Sequence, residues 1–285
     1  MHLVDGRTMQ VLTTIGAFRE ARRRLRGTLG FVPTMGYLHE GHMELVRRAR
    51  AENDHVAASI FVNPTQFSAG EDFAAYPRDL ERDLSMLRKE GVALVFHPSP
   101  EEMYPRGSAA VVDVGPIAQR LEGAERPGHF RGVATVVAKL FNVVQPDRAY
   151  FGQKDGQQVL VIKRLVADLD LPVQIVVAPT VREADGLAMS SRNVYLDPQE
   201  RKAAVVLSRA LGRCEALYRA GERDASKLRD AMSAVLADEP LAEVAYVSVA
   251  SVDTLEEMER VERPAMASLA VRIGKTRLID NVLLG

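Results

Sequence analysis

Through about residue 180, short apolar runs alternate with stretches of helical period, and this alternation limits the fold more than any other feature of the chain. Parallel strands joined by crossover helices are the arrangement such a pattern supports. Strands are predicted at 30–32, 56–62, 93–96, 149–151 and 173–177, with helices at 43–51, 79–89, 133–144 and 159–169. Asp155, with Gln158 three residues on, reads as a capping box opening the last helix. The pattern changes near Asp197, Pro198 and Glu200, a strong helix start. Two alanine-rich helices (202–219 and 225–236) and three strands (244–249, 269–273 and 277–279) follow, with Gly274 and Lys275 suited to a II′ hairpin turn. The expected fold is α/β: a Rossmann-like parallel-sheet, nucleotide-binding domain over 1–187, then a smaller α+β C-terminal lid domain over 188–285.

A length of 285 residues fits two such units, and 47% hydrophobic with 26% charged residues supplies a sizeable core. The formal net charge of −1 gives no long-range pull on a polyanion, so nucleic acid and anionic membranes are disfavoured as partners. The basic cluster Arg22, Arg23, Arg24 and Arg26 reads as a solvated helix face rather than a nucleic-acid patch. Cys214 is the only cysteine, which suits a reducing compartment, and the start Met1 to Arg7 has no apolar leader core; a cytoplasmic protein is expected.

Four segments carry candidate chemistry. The turn after the strand at 30–32 holds Gly36 and Gly41, which allow close backbone approach, and His39 and His42 at a helix N-terminus, where unpaired N–H groups favour an anion. Ordinary capping histidines, or a zinc site, are the competing readings; His-x-x-His is shorter than the usual zinc spacing. A second strand-to-helix turn carries Lys154, a point charge for a phosphate, beside Asp155 and Gln158. A loop with Ser190, Ser191 and Arg192 suits a phosphate clamp, and Asn63 and Gln66 end another strand with amides that fit a small polar substrate. No Gly-x-x-x-x-Gly-Lys-Ser/Thr loop and no Gly-x-Gly-x-x-Gly fingerprint is present, so nucleotide chemistry of another kind leads.

The segments PTMGYLHEGH (33–42), IFVNPTQF (60–67), YPR (76–78), LEG (121–123), RPGHFRG (126–132), KLFNVVQP (139–146), GQKD (152–155), DGLAMSSRN (185–193) and RLIDN (277–281) resemble, in order and over nearly the whole chain, the pantoate–β-alanine ligase (pantothenate synthetase) family of His-x-Gly-His nucleotidyltransferases. The resemblance implies an ATP-dependent ligase that joins pantoate to AMP and then passes the pantoyl group to β-alanine, releasing AMP and diphosphate. It implies an ATP site of Met35, Gly36, Tyr37, Leu38, His39, Glu40, Gly41 and His42, with Gly152, Gln153, Lys154 and Asp155, and with Val181, Met189, Ser190, Ser191 and Arg192. His42, His39, Lys154, Arg192, Ser190 and Ser191 would act on the phosphates, with His42 as proton donor or cationic stabiliser. Gln66, Gln158 and Asn63 would hold pantoate and β-alanine, Asp83 would neighbour Mg2+, and the protein would be a homodimer. Gln153 and Gly156 depart from the family pattern, which commonly has glutamate and an aromatic there. The glycines and Pro127 of 123–132 suggest a mobile flap over the intermediate. Two other readings compete: a nucleotide-binding regulatory module without ligase activity, and a nucleotidyltransferase acting on a phosphorylated acceptor.

Overall fold

The computed structural model describes residues 9–68 and 70–285. The N-terminal residues read above for a leader lie outside that range. The first part of the chain runs β1 (Gln10–Leu12), α1 (Ile15–Arg24), β2 (Leu29–Thr34), α2 (Glu40–Glu52), β3 (His55–Ile60), α3 (Leu80–Lys89), β4 (Leu94–Phe96), α4 (Pro100–Met103), α5 (Glu122–Glu125), α6 (His129–Val144), β5 (Arg148–Gly152), α7 (Gly156–Asp168) and β6 (Gln174–Ala178). The strands form a six-stranded sheet in the order β1-β4-β3-β2-β5-β6, with every pairing parallel.

The sheet is covered on both faces, which is why its strands read as continuous apolar runs. Alternate residues feed opposite layers: Leu29, Phe31, Ala57, Leu94 and Phe96 pack with α1, α6 and α7, whereas Val32, Val56, Ala58 and Val95 pack with α2 and α3. Strand order reverses between β2 and β5, so the crevice at their carboxyl ends is the switch point where ligands bind in such sheets. Both phosphate-friendly turns, at 35–42 and 152–155, open onto it.

The remainder comprises α8 (Pro198–Ala203), α9 (Val206–Arg219), α10 (Ala225–Ala237), β7 (Ala242–Ser251), β8 (Ala265–Ile273) and β9 (Thr276–Leu284). The three strands form an antiparallel sheet in that order, and α9 and α10 bury Leu207, Leu211, Leu228 and Met232 against its Leu269 and Val271. Asp197 and Glu200 make the expected capping box at α8. Positive φ at Gly274 (57°), and not at Lys275, fits the expected II′ turn.

Three details differ from the sequence reading. Three-residue β1 is too short for a period to register, so it was missed. No capping box opens α7: Asp155 has φ −95° and ψ 54° and makes no cap hydrogen bond, because the chain enters the helix through a 3₁₀ turn over Gln153–Asp155. The basic face of α1 is not simply solvated, since Arg22 and Arg19 donate to the carbonyls of Gln145 and Asn142 at the end of α6, where cations complement the helix dipole.

Candidate active site

A cavity of about 920 Å³ lies over the switch point, walled by the β2–α2 and β5–α7 turns, the N-terminal end of α6, the 179–195 segment and the β8–β9 hairpin. At the first turn, Gly36 (φ 85°) and Tyr37 (φ 49°) adopt left-handed conformations, and a Cβ on Gly36 would lie 3.0 Å from Ile60. His39 then caps α2. Its Nδ1 accepts from the Gly41 N–H at 3.2 Å, and Nδ1 of His42 accepts from the His39 N–H at 3.2 Å, a reciprocal box built from two imidazoles. Because both Nδ1 atoms accept from backbone N–H groups, the proton of each neutral ring sits on Nε2. The ring centroids are 4.1 Å apart.

These histidines are neutral. Burial, then the neighbouring Lys154 charge, lowers the pKa of His39 to about 4, and burial, then His39 itself, lowers that of His42 to about 3. Of the two roles expected for His42, proton donor or charge stabiliser, burial and the hydrogen bond at Nδ1 favour a neutral ring that donates through Nε2–H. Of this turn, Met35, His39, Gly41 and His42 line the cavity. Leu38 is core, the Tyr37 ring lies under the Arg82 guanidinium at 5.1 Å, and Glu40 turns outward to Arg47 at 2.5 Å.

On the second turn, Gly152, Lys154 and Asp155 face the cavity, with Lys154 Nζ 3.3 Å from Asp155 Oδ1. Burial opposes the charge on Asp155, but Lys154 and Arg192 outweigh it and hold its pKa below the ordinary carboxylate value. Gln153 turns away: its Nε2 donates to Asn281 Oδ1 at 2.8 Å. Gly156 also lies at Asn281, where a Cβ would stand 2.9 Å from the side-chain amide. The two departures from the family pattern therefore both bear on the contact with Asn281.

In the third segment Ser190, Ser191 and Arg192 each already have a partner. Ser190 Oγ accepts from the Arg192 N–H at 3.2 Å, Ser191 Oγ donates to the Tyr37 carbonyl at 3.2 Å, and Arg192 grips Asp72 with two bonds of 3.0 and 2.9 Å. The Met189 N–H donates to Val181 O at 3.0 Å, so both stand at the same wall.

The amide end is graded. Gln158 lines the cavity without a side-chain hydrogen bond among the described residues, whereas Gln66 donates to Met35 Sδ and accepts from Asn63. Asn63 is 1% exposed and spends its amide on Gln66, Gly132 O, Thr65 and Tyr104. It fits a support for Gln66 better than a direct substrate contact. Behind Gln66, Glu71 accepts two bonds from Arg126, Arg126 donates to His129 Nε2, and His129 Nδ1–H donates to Gln66 O at 2.8 Å. Burial, then Arg126, lowers the His129 pKa to about 4.

Gly123 and Gly132 of segment 123–132, from which a mobile flap was expected, are accounted for by packing. The segment forms α5 and the first turn of α6, and a Cβ on Gly123 would meet Ala118 O at 2.0 Å, and one on Gly132 would meet Thr65 O at 2.3 Å. The 71–76 stretch also lines the cavity and is held by Glu71 to Arg126 and by Asp72 to Arg192.

Asp83, 1% exposed, directs Oδ2 to the Tyr37 N–H at 2.7 Å and Oδ1 to the Leu38 N–H at 2.8 Å. With both oxygens engaged on the backbone, it does not fit a magnesium ligand. Burial raises its pKa despite the two N–H donors. Sequence reasoning missed Asp72, Arg126, His129, Arg182 and Asn281. Only contacts across 55 to 128 residues give them meaning, and no local spacing signals these.

A family model for pantoate-beta-alanine ligase matches residues 10–283. The pantothenate synthetase of Roseiflexus castenholzii is 64% identical over 276 residues, covering 97% of this chain and 99% of that one. That of Heliobacterium modesticaldum is 55% identical over 278 residues, covering 98% and 99%. Among solved structures, pantothenate synthetase from Thermus thermophilus superposes with a TM-score of 0.92 at 50% identity, covering 96% of this chain and 99% of that one. The pantoate-beta-alanine ligase of Francisella tularensis, complexed with beta-gamma ATP and beta-alanine, gives 0.80 at 36% identity, covering 97% and 98%. A cavity at the switch point, walled by a two-histidine cap, a lysine turn and a Ser-Ser-Arg loop, agrees with these full-length matches: the chain belongs to the pantoate–β-alanine ligase family.

Proposed function

We propose that this protein condenses pantoate with β-alanine at the expense of ATP, through a pantoyl-adenylate. The pantoate carboxylate attacks the α-phosphorus and diphosphate leaves; the β-alanine amine then attacks the acyl carbonyl and AMP leaves. Negative charge grows on the phosphate oxygens in the first step, so fixed donors in a partly dry cavity lower its barrier. Lys154 and Arg192 supply the positive charge. His39 and His42 supply neutral Nε2–H donors whose direction is set by the capping box, so no proton need move for them to act. Gly41 leaves room for the phosphates, and Met35, Val181, Met189, Ser190 and Ser191 complete the nucleotide walls. Gln158 and Gln66 hold pantoate, with Phe61, Val133 and Val137 forming an apolar floor for its methyl groups.

Magnesium, when bound, neutralises charge on the triphosphate. Among the described residues no group of three His, Cys, Asp or Glu could hold a metal, so phosphate oxygens would supply most of its ligands. The division at 187/188, a homodimer and a cytoplasmic location belong to the same proposal. Leu187 itself packs with the C-terminal core, which moves the boundary one residue ahead of that division. No described helix is long and apolar enough to cross a membrane.

The observation that carries this reading is the convergence of His39, His42, Lys154 and Arg192 on one cavity. His42→Ala tests it: pantoyl-adenylate formation should fall about 100- to 1,000-fold, the usual effect of removing one such donor. Near-native formation by this variant would contradict the assignment. Strict dependence of diphosphate release on pantoate excludes a phosphorylated acceptor.

A further inference from the structure

The C-terminal RLIDN segment has no role in the chemistry described so far, yet it touches the ATP site through one side chain. Asn281, on β9, is 5% exposed and faces the 3₁₀ turn that carries Lys154. Its Nδ2 donates to Gln153 O and to Lys154 O, both at 2.9 Å, and its Oδ1 accepts from Gln153 Nε2 at 2.8 Å. All three bonds go to two consecutive residues. Asn281 thus donates to two successive carbonyls of the turn and ties down the peptide from which the Lys154 side chain departs.

Two further features hold Asn281 in place. Its own N–H donates to Asp280 Oδ1 at 2.8 Å, and Asp280, itself buried, grips Arg182 through bonds of 2.6 and 3.0 Å, next to Val181 in the nucleotide wall. On the opposite side Gly156 gives clearance: a Cβ there would stand 2.9 Å from both the N and the O atom of the Asn281 amide, so a side chain at this position would require that amide to shift.

We propose that Asn281 is a positioning residue for adenylation: it sets the Lys154 turn, and the C-terminal sheet thereby aims the lysine ammonium at the triphosphate. This rests on the reading of Lys154 as a phosphate ligand. Misplacing a charged donor by about 1 Å can cost about 100-fold in rate, whereas loss of a remote packing contact acts on stability.

The test is a double-mutant cycle on diphosphate release from ATP and pantoate, with rates normalised to folded protein. Asn281→Ala should slow that step about 100-fold and leave the KM for pantoate unchanged, because Gln66 and Gln158 stand on other elements. In a Lys154→Ala background the same substitution should add less than about twofold, since residues acting through one group do not add. Asn281→Asp, equal in size but without the two N–H donors, should reproduce the loss and serves if the alanine variant does not fold. Equal fold-losses in both backgrounds, or a native rate for Asn281→Asp, overturn the proposal while leaving the ATP site intact. A native rate for Lys154→Ala overturns the phosphate role of Lys154 and this proposal together.

Discussion

Asp83 and Tyr37 meet through a 2.7 Å bond in which a buried carboxylate oxygen accepts the N–H of a residue at φ 49°. The other oxygen takes the Leu38 N–H, so one side chain of α3 holds the backbone of the nucleotide turn in a conformation that costs energy for a residue with a Cβ. Asp83→Asn keeps the size but offers one acceptor to two donors. It should destabilise the protein by about 1–3 kcal/mol, the cost of a buried N–H left unpaired. Urea denaturation measures the loss. The magnesium concentration for half-maximal activity should be unchanged, and a large shift would restore Asp83 as a metal ligand.

The lowered pKa values of His39, His42 and His129 make a statement about stability. The unfolded chain binds protons near the ordinary value of 6.5, while the folded chain resists them down to about 4 at His39 and His129 and about 3 at His42. Stability is therefore full above about pH 6.5 and falls as pH drops from there to about 4, with a slope of up to ~1.4 kcal/mol per pH unit for each histidine. Chemical denaturation across that range measures this slope, and the imidazole signals of His39, His42 and His129 in the folded protein should not titrate between pH 7.5 and 5.5. A histidine at this site titrating near 6.5 would remove the neutral-donor argument.

Arg192 has one guanidinium and two claims upon it, the Asp72 carboxylate and the incoming phosphates. Asp72→Asn removes the competing charge, so the KM for ATP should fall about two- to fivefold, the scale of a partly exposed ion pair. The same change releases one of the two ion pairs that hold the 71–76 stretch of the cavity wall, and more AMP should form per pantothenate as water reaches the intermediate. An ATP KM that rises instead would mean that Asp72 orients Arg192 rather than competing for it.

Gly132→Ala places a methyl group 2.3 Å from the Thr65 carbonyl before any relaxation. The backbone carrying Gln66 must move, so stability should fall by about 1–3 kcal/mol and the KM for pantoate should rise. Thermal melts and steady-state kinetics in pantoate report the two effects separately. A variant with native values of both would show that the α6 start can retreat freely.

The β2–α2 turn shows how far sequence reading reaches. Strand, glycine, two histidines and helix lie within twelve residues, and backbone geometry alone puts them at the carboxyl edge of a sheet. The same holds for Lys154 after β5 and for the hairpin at Gly274. Wrong details came where one local rule competed with a tertiary contact. Asp155 has the spacing of a cap, but the 3₁₀ turn and the Lys154 ammonium claim it. Gly123 and Gly132 have the composition of a flap, but each is a glycine because another backbone passes where a side chain would be.

What the sequence determined by itself was the covered parallel sheet, its second smaller unit and the turns able to hold phosphates, because periodicity and turn chemistry act over a few residues. Tertiary structure alone decided the charge of His42, the partner of Arg192, the duty of Asp83 and the reach of Asn281 to Lys154. Burial and long-range hydrogen bonding set those properties, and neither exists until segments far apart in the chain are brought into contact.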